Sequence, residues 1–307
     1  MSGEDFRALG KRLSNWGRWG ADDERGTANL ITAGHVVRAA GLIRRGVTFP
    51  LAIPFGPDGP QDGRVRDNPV RLMKETGLDP QPNPGAFRYA DDYVVMALQA
   101  ASQWDALAHV HYDGRLYNDF PAATITARGA AHCSIDRLSP GLTGRGVLLD
   151  IARLRGVDWL PIGTAIQPAD LDAAAAAQGV EIRAGDILLV RTGWRLKFVT
   201  DADKRGFKAG EPGLGLACAA WLHEHDVAAV GSDNFAVEVL PGEHPGEYMP
   251  FHMVAIRDMG MPLAEILDLE ELAADCAADG RFDFFFTGTP LPFSGGVGSP
   301  VNPLAIK

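Results

Sequence analysis

The sequence predicts an α/β fold built on a mixed sheet. Through the second half of the chain, short apolar runs alternate with longer segments of helical period, the pattern of strands interleaved with helices. The first half holds more turns and fewer helices, so the sheet is expected to be mixed rather than wholly parallel. No internal repeat or linker interrupts the 307 residues, and the Pro/Gly-rich stretches lie inside the apparent fold. A single domain over 1–307 is expected, with an N-terminal extension of about 1–50 packed on it.

Element by element, the run Asn15-Trp16-Gly17-Arg18-Trp19-Gly20 lacks helix or strand period and reads as an ordered loop. Thr32 to Arg45 has helical spacing, with Thr32 as N-cap and Gly46 as the stop. Pro54 to Phe87 is rich in Pro and Gly and poor in apolar residues. It reads as a long loop of the kind that covers a site. Asp92 to Gln99 reads as a strand, as does Val147 to Ile151, an apolar run bounded by Gly and Arg. Pro168 to Gln178 is expected as a helix, with Pro near its start and Gly179 just past its end. Ile187 to Thr192 is a buried strand, Leu216 to His225 a helix, Val227 to Gly231 a strand. Leu269 to Ala278, rich in Ala and Leu, is a helix, and Phe282 to Thr287 a final strand.

Composition removes several classes of function. Net charge is -10, from 29 Lys+Arg against 39 Asp+Glu. Nucleic acid, whose phosphates require clustered cations, is not an expected partner. Neither is a membrane surface; Arg38, Arg44 and Arg45 flank one helix and read as solvated. No apolar run approaches the ~20 residues that span a bilayer, and Met1 to Arg12 is polar, so a cytoplasmic protein is expected. Cys133, Cys218 and Cys276 are widely spaced and form no CxxC, which excludes a disulfide framework and a thiolate zinc site. Cys218 and Cys276 read as small core residues, and nothing near Cys133 argues for a nucleophile.

The densest polar cluster in an apolar setting is Gln99-Ala-Ala-Ser102-Gln103-Trp104-Asp105-Ala-Leu-Ala-His109. Read as Q-x3-Q-x-D-x3-H at the end of a predicted strand, it sends several metal-capable or proton-transferring side chains toward one point. The plainer reading makes Gln99 and Gln103 buried hydrogen-bonders and Asp105 a helix N-cap. The residues alone leave both open.

This segment resembles the motif H-x-G-T-H-x-D-x3-H of the cyclase family, which includes kynurenine formamidase, isatin hydrolase and polyketide-cyclase-like proteins. Asp105 and His109 match the motif Asp and its last His. Gln99 and Gln103 stand where the family has its first two His, with Ala101 for Gly and Ser102 for Thr. The resemblance continues through Arg145–Asp150, Gly185–Gly193, Val227–Asn234, then His252, Gly260 and Glu265, and the Pro290–Pro300 run. It covers residues 90–307 and, more loosely, Asn15 to Thr32, and it is similar to the longer branch in which Q-W-D-x-L-x-H is usual.

The resemblance implies a mixed, β-barrel-like sheet with flanking helices, the swivelling β/β/α fold. It implies Asp105, His109, His252 and Glu265 as the catalytic and metal-binding set, and a homodimer or homotetramer. The cofactor implied is a divalent metal, manganese or zinc. Carboxamides are weak neutral donors beside imidazole, so Gln99 and Gln103 argue for weak binding of a hard ion or for no metal. On their own, His252 beside apolar residues reads as a structural histidine and Glu265 as one surface carboxylate among several; Glu238 is a further candidate. Arg191 and Thr192 end a buried strand, either as an ion pair or cap or as a substrate anchor. Gln99, Gln103, Trp104, Trp16 and Trp19 are candidates to line a substrate pocket. His223 and His225 point opposite ways on a helix and read as surface residues. The expected activity is hydrolysis of a C–N or C–O acyl bond in a small cyclic or aryl amide, imide or lactone. A metal-independent ring-forming cyclase or lyase and a non-catalytic ligand-binding protein remain as alternatives.

Overall fold

The structure is a computed structural model that describes residues 5–78, 85–201, 207, 209–243 and 246–307. In chain order the principal strands are β1 (Thr48–Pro50), β2 (Val70–Glu75), β3 (Asp91–Val95), β4 (Gln103–Asp105), β5 (Thr143–Asp150), β6 (Ile187–Arg191), β7 (Ala229–Ser232), β8 (Leu263–Glu265), β9 (Asp283–Thr287), β10 (Gly298–Pro300) and β11 (Leu304–Ile306). Nine of them form one sheet, ordered β1-β11-β9-β5-β6-β7-β8-β4-β10, which curls into a half-barrel flanked by helices. β5, β6, β7 and β8 run parallel. β4 returns antiparallel against β8, and β9 antiparallel against β5. The sheet is therefore mixed, as the chain's two unlike halves predicted.

Alternation along the central strands builds two cores. In β6, Leu188 and Val190 join the apolar cluster on one face, while Ile187 and Leu189 join the cluster on the other. Val147 and Leu149 against Leu148 do the same in β5. Successive side chains of a strand point to opposite faces, so a continuous apolar run is what a strand covered on both sides requires. The helix Pro168–Gln178 begins and ends where Pro168 and Gly179 place it, the glycine at φ +62° closing the last turn in the left-handed region. The N-terminal segment lies on this frame: Asn15 Nδ2 donates to the Met259 carbonyl at 2.9 Å and Thr27 Oγ1 to that of Ala228 at 2.8 Å.

Several boundaries move. The helix capped by Thr32 covers Ala33–Ala40 and ends at Gly41, not Gly46. The long loop holds β2, which pairs with β3 as an antiparallel hairpin outside the main sheet; its residues 79–84 lie outside the described residues. β3 ends at Val95, so Gln99 sits in a turn and the polar cluster contains its own short strand, β4. No helix follows Asp105, which removes the N-cap reading. β5 starts at Thr143, four residues before the predicted edge. His223 and His225 are half-buried, the latter stacked on Trp221 with ring centroids 4.1 Å apart. Arg45 is ion-paired with Asp275 at 2.5 Å rather than only solvated. All three cysteines are buried, and burial pushes each thiol up, which suits packing rather than nucleophilic chemistry. No helix among the described residues is long and apolar enough to cross a membrane.

Candidate active and metal site

The site forms where β4 lies against β8. Their register sets Gln103 opposite Glu265, and directly opposed residues share a face. Gln103 Nε2 accordingly donates to Glu265 Oε2. Asp105, two residues on, points to the same face and is 1% exposed. Its Oδ1 accepts from Gln99 Nε2 at 2.5 Å. Trp104, between them, must point the other way. Its ring packs edge-on against Phe286 and its Nε1 donates to the Gly288 carbonyl at 2.5 Å.

His252 enters from a short helical turn, Pro250–His252, that follows Met249 in the left-handed region at φ +55°. Its Nδ1 lies 2.5 Å from Glu238 Oε1, and Glu238 also accepts from the backbone N–H of Phe251 and His252 at 3.2 and 3.0 Å. The ring is thus fixed, with Nε2 aimed at Glu265 Oε1 (3.1 Å) and Asp105 Oδ2 (3.9 Å). His109 Nε2 lies 4.0 Å from Asp105 Oδ2, and its side chain is 24% exposed where those of Asp105, His252 and Glu265 are nearly sealed. Ligand atoms of Asp105, His252 and Glu265 all lie within 4.8 Å of one another.

Burial opposes charge on His252, but its hydrogen bonds to Glu238 and Glu265 outweigh that and hold the imidazole protonation well above the ordinary range. Burial, then the charge of Asp105, push Glu265 up to about 7. Burial lowers His109, so this imidazole is neutral near pH 7. Glu211, fully buried beside them, is raised by burial; it accepts from the backbone N–H of Phe235 and Ala236 at 2.6 and 2.7 Å and so pins the turn that carries Glu238.

A cavity of about 330 Å³ opens onto His109, His252 and Glu265, walled by Arg64, Val65, Arg66, Phe235, Tyr248 and Met249. A larger space of about 730 Å³ lies between the β2–β3 hairpin and residues 289–302. It is mostly apolar and contains none of the buried polar cluster, so the smaller cavity is the chemical one.

The four residues expected at the centre are brought together, and Gln99 and Gln103 lie against their carboxylates. Five other candidates fall outside the cavity. Arg191 is locked between Asp150 (2.9 Å) and both oxygens of Glu270 (2.9 and 2.8 Å), a structural ion-pair cluster with no donor turned to the cavity. Thr192 is tied to Asp233. Trp104 belongs to the core, as the β4 alternation demands. Trp16 donates to the Arg257 carbonyl at 2.8 Å, and Trp19 lies under the Arg18 guanidinium at 4.8 Å; neither lines the cavity. The close grip of Glu238 on His252 and the Arg64–Arg66 wall were missed. The long Pro/Gly loop was the only local signal for that wall.

A divalent cation fits the residues present. Asp105 Oδ2 and Gln103 Oε1 are buried acceptors without a hydrogen-bond donor, an arrangement that costs about 1–3 kcal/mol per group unless something fills it. With Glu265 and His252 Nε2 they make an oxygen-rich donor set, and Glu238 on Nδ1 is the outer carboxylate that orients a ligating histidine.

Fold and site together define an α/β half-barrel protein with a buried carboxylate–histidine centre suited to a divalent cation. The family model described as "Putative cyclase" matches residues 49–239, and the chain belongs to the cyclase family. A crystal structure described as a novel cyclase is 42% identical, with 96% of this chain and 100% of that chain covered at a TM-score of 0.90. Isatin hydrolase A from Labrenzia aggregata (18% identical, 87% and 94% covered) and from Ralstonia solanacearum (21%, 88% and 94%) share the fold, each at a TM-score of 0.63. A search of curated proteins found no match.

Proposed function

We propose that the chain hydrolyses a C–N or C–O acyl bond in a small cyclic or aryl amide, imide or lactone. The observation that carries this reading is the convergence of Asp105, His252 and Glu265 within 4.8 Å, with Asp105 Oδ2 and the neighbouring Gln103 Oε1 lacking a donor, at the buried end of the cavity. Asp105, His252 and Glu265 would hold a divalent ion, with Gln103 Oε1 as a neutral donor; the oxygen-rich set favours Mn²⁺ over Zn²⁺. Such an ion supplies a Lewis acid for the acyl oxygen and an acidified water. Glu238 keeps His252 Nε2 directed inward. His109, neutral and at the open side, takes the proton from the attacking water and returns it to the departing nitrogen or oxygen.

A metal-free acid/base reading, which includes ring closure, is favoured by one observation: Gln99 and Gln103 each donate an amide N–H to a carboxylate of the centre, Asp105 and Glu265, as they would with no ion there. In that case the proton is taken by Glu265, poised at about 7, and the His252 imidazolium faces the developing oxyanion. Elemental analysis and a panel of cyclic imides, lactones and N-acyl anilines, assayed before and after chelation, separate the two. Turnover abolished by chelation and restored by Mn²⁺ is expected. No turnover on any member by the Mn²⁺-loaded protein would overturn the hydrolase reading.

A further inference from the structure

The cavity wall carries a charge that the chemistry above leaves unused. Arg66 comes from the loop before β2, and its Nη1 donates to the Gln99 carbonyl at 3.2 Å. That bond ties it to the residue whose carboxamide holds Asp105. The loop's neighbouring cation, Arg64, is neutralised by Asp62 at 2.6 Å. Arg66 is not: among the described residues, no carboxylate is within ion-pair distance of its guanidinium. A guanidinium placed only to offset Asp105 and Glu265 would be in contact with one of them. Arg66 instead stands at the cavity among Val65, Phe235, Leu240 and Met249, with most of its N–H donors uncommitted. Its field still reaches the centre, since it favours the neutral form of His109 and the charged form of Glu265.

A planar cation without an ion-pair partner beside apolar side chains, in a cavity whose other guanidinium, Arg64, is already paired with Asp62, suits a carboxylate on an apolar or aromatic body, because the guanidinium fork matches the two carboxylate oxygens. We propose that Arg66 anchors a carboxylate carried by the substrate, so that the site takes small apolar or aromatic acids bearing the scissile amide or lactone. This inference rests on the hydrolase reading of the same site. The carboxylate meant is one the substrate brings with it. A carboxylate released by hydrolysis forms at Asp105, His252 and Glu265, none of which Arg66 touches.

The test is calorimetric titration of the protein as purified with 4-acetamidobenzoate and its neutral isostere 4-acetamidobenzamide. The acid should bind at least about tenfold more tightly, the scale of a charge-assisted hydrogen bond. Arg66→Gln should erase that difference and leave the carboxamide's affinity alone. Arg66→Lys should keep part of it, and added salt should weaken the acid selectively. Equal binding of the two probes by the unaltered protein overturns the proposal. So does an acid preference that survives in Arg66→Gln but vanishes on chelation, which would place the carboxylate at the centre. Because the readout is binding, it is separable from the activity panel. An inert panel with Arg66-dependent acid binding sinks only the hydrolase reading, and active turnover with equal binding sinks only the anchor.

Discussion

Two clusters of buried charge sit on the same sheet. At the ends of β5 and β6, Arg191 meets Asp150 and Glu270, and every strong donor has an acceptor: Nη1 to Asp150, Nε and Nη2 to the two oxygens of Glu270, with Asp150 also accepting from the Arg153 backbone at 3.0 Å. Where β4 meets β8, Asp105, Glu265 and His252 are all buried, more fully than Glu270, but leave Asp105 Oδ2 and Gln103 Oε1 without a donor. The first cluster satisfies its hydrogen bonds and closes on itself. In the second, burial and then the charge of Asp105 push Glu265 up to about 7. Burial is common to both; what separates a structural cluster from a reactive one is whether its polar atoms are satisfied.

If that distinction holds, the two clusters answer substitution in opposite ways. Glu265→Gln should cut turnover by about 10²–10⁴-fold, the range for removing a general acid/base or a comparable charged group. The fold should be no less stable, because one of two crowded carboxylates is gone. Turnover measured beside urea denaturation reads both, and an activity loss smaller than tenfold would erase the contrast. Arg191→Met should do the reverse. Breaking a buried pair by removing one partner costs about 3–5 kcal/mol, since Asp150 and Glu270 are left facing each other. The folded fraction should keep its KM, while a raised KM with unchanged stability would restore Arg191 as a substrate anchor.

A smaller effect sharpens the reactive side. Gln103→His puts an imidazole where Gln103 Oε1 is now orphaned. Imidazole is the better ligand for first-row metals, so Mn²⁺ or Zn²⁺ affinity should rise about 10–100-fold. Calorimetric titration of the variant, and of the double variant with Gln99→His, measures it. No gain from either would count against a metal at this position and favour the acid/base reading.

The same contrast explains what could be read from sequence. β6 and the Pro168–Gln178 helix were legible because their signals are local: a buried apolar run, and a proline and glycine at the two ends. β2 was not, because Val-Arg-Leu-Met-Lys-Glu has no buried face and sits among prolines; only its pairing with β3 makes it a strand. Arg191 stayed undecided because a polar residue ending a buried strand looks the same whether it binds substrate or closes an ion pair. Its partner Glu270 is 79 residues away. His252 and Glu265 were reached only through the family resemblance. They are 13 residues apart, joined by a π-helical turn over Met253–Asp258 that no periodicity announces. Arg66 went unread for the plainest reason: nothing local marks a cation that will find no carboxylate.

Satisfaction does not make a buried charge free of cost, and Asp233 tests that limit. It stands beside the structural cluster, fully buried, accepting from Thr192 N–H (2.8 Å), Thr192 Oγ1 (2.7 Å) and Gly193 N–H (2.7 Å). These hydrogen bonds and the nearby Arg191 favour the carboxylate, yet burial outweighs them and raises the group from 3.8 to about 6. The native state then holds a proton that the unfolded chain has released throughout the window between those two values. Stability from this group is therefore greatest at the acid end, falls as pH rises through the window by at most about 1.4 kcal/mol per pH unit, and is level above about pH 6. Asp233→Asn cannot titrate. The stability of the parent relative to this variant, measured by urea denaturation at several pH values from 4 to 7, should decline with rising pH and then flatten. If the parent's advantage instead grows with pH, the hydrogen bonds have beaten burial, and a fully satisfied carboxylate in this fold is ionised at less cost than its surroundings imply.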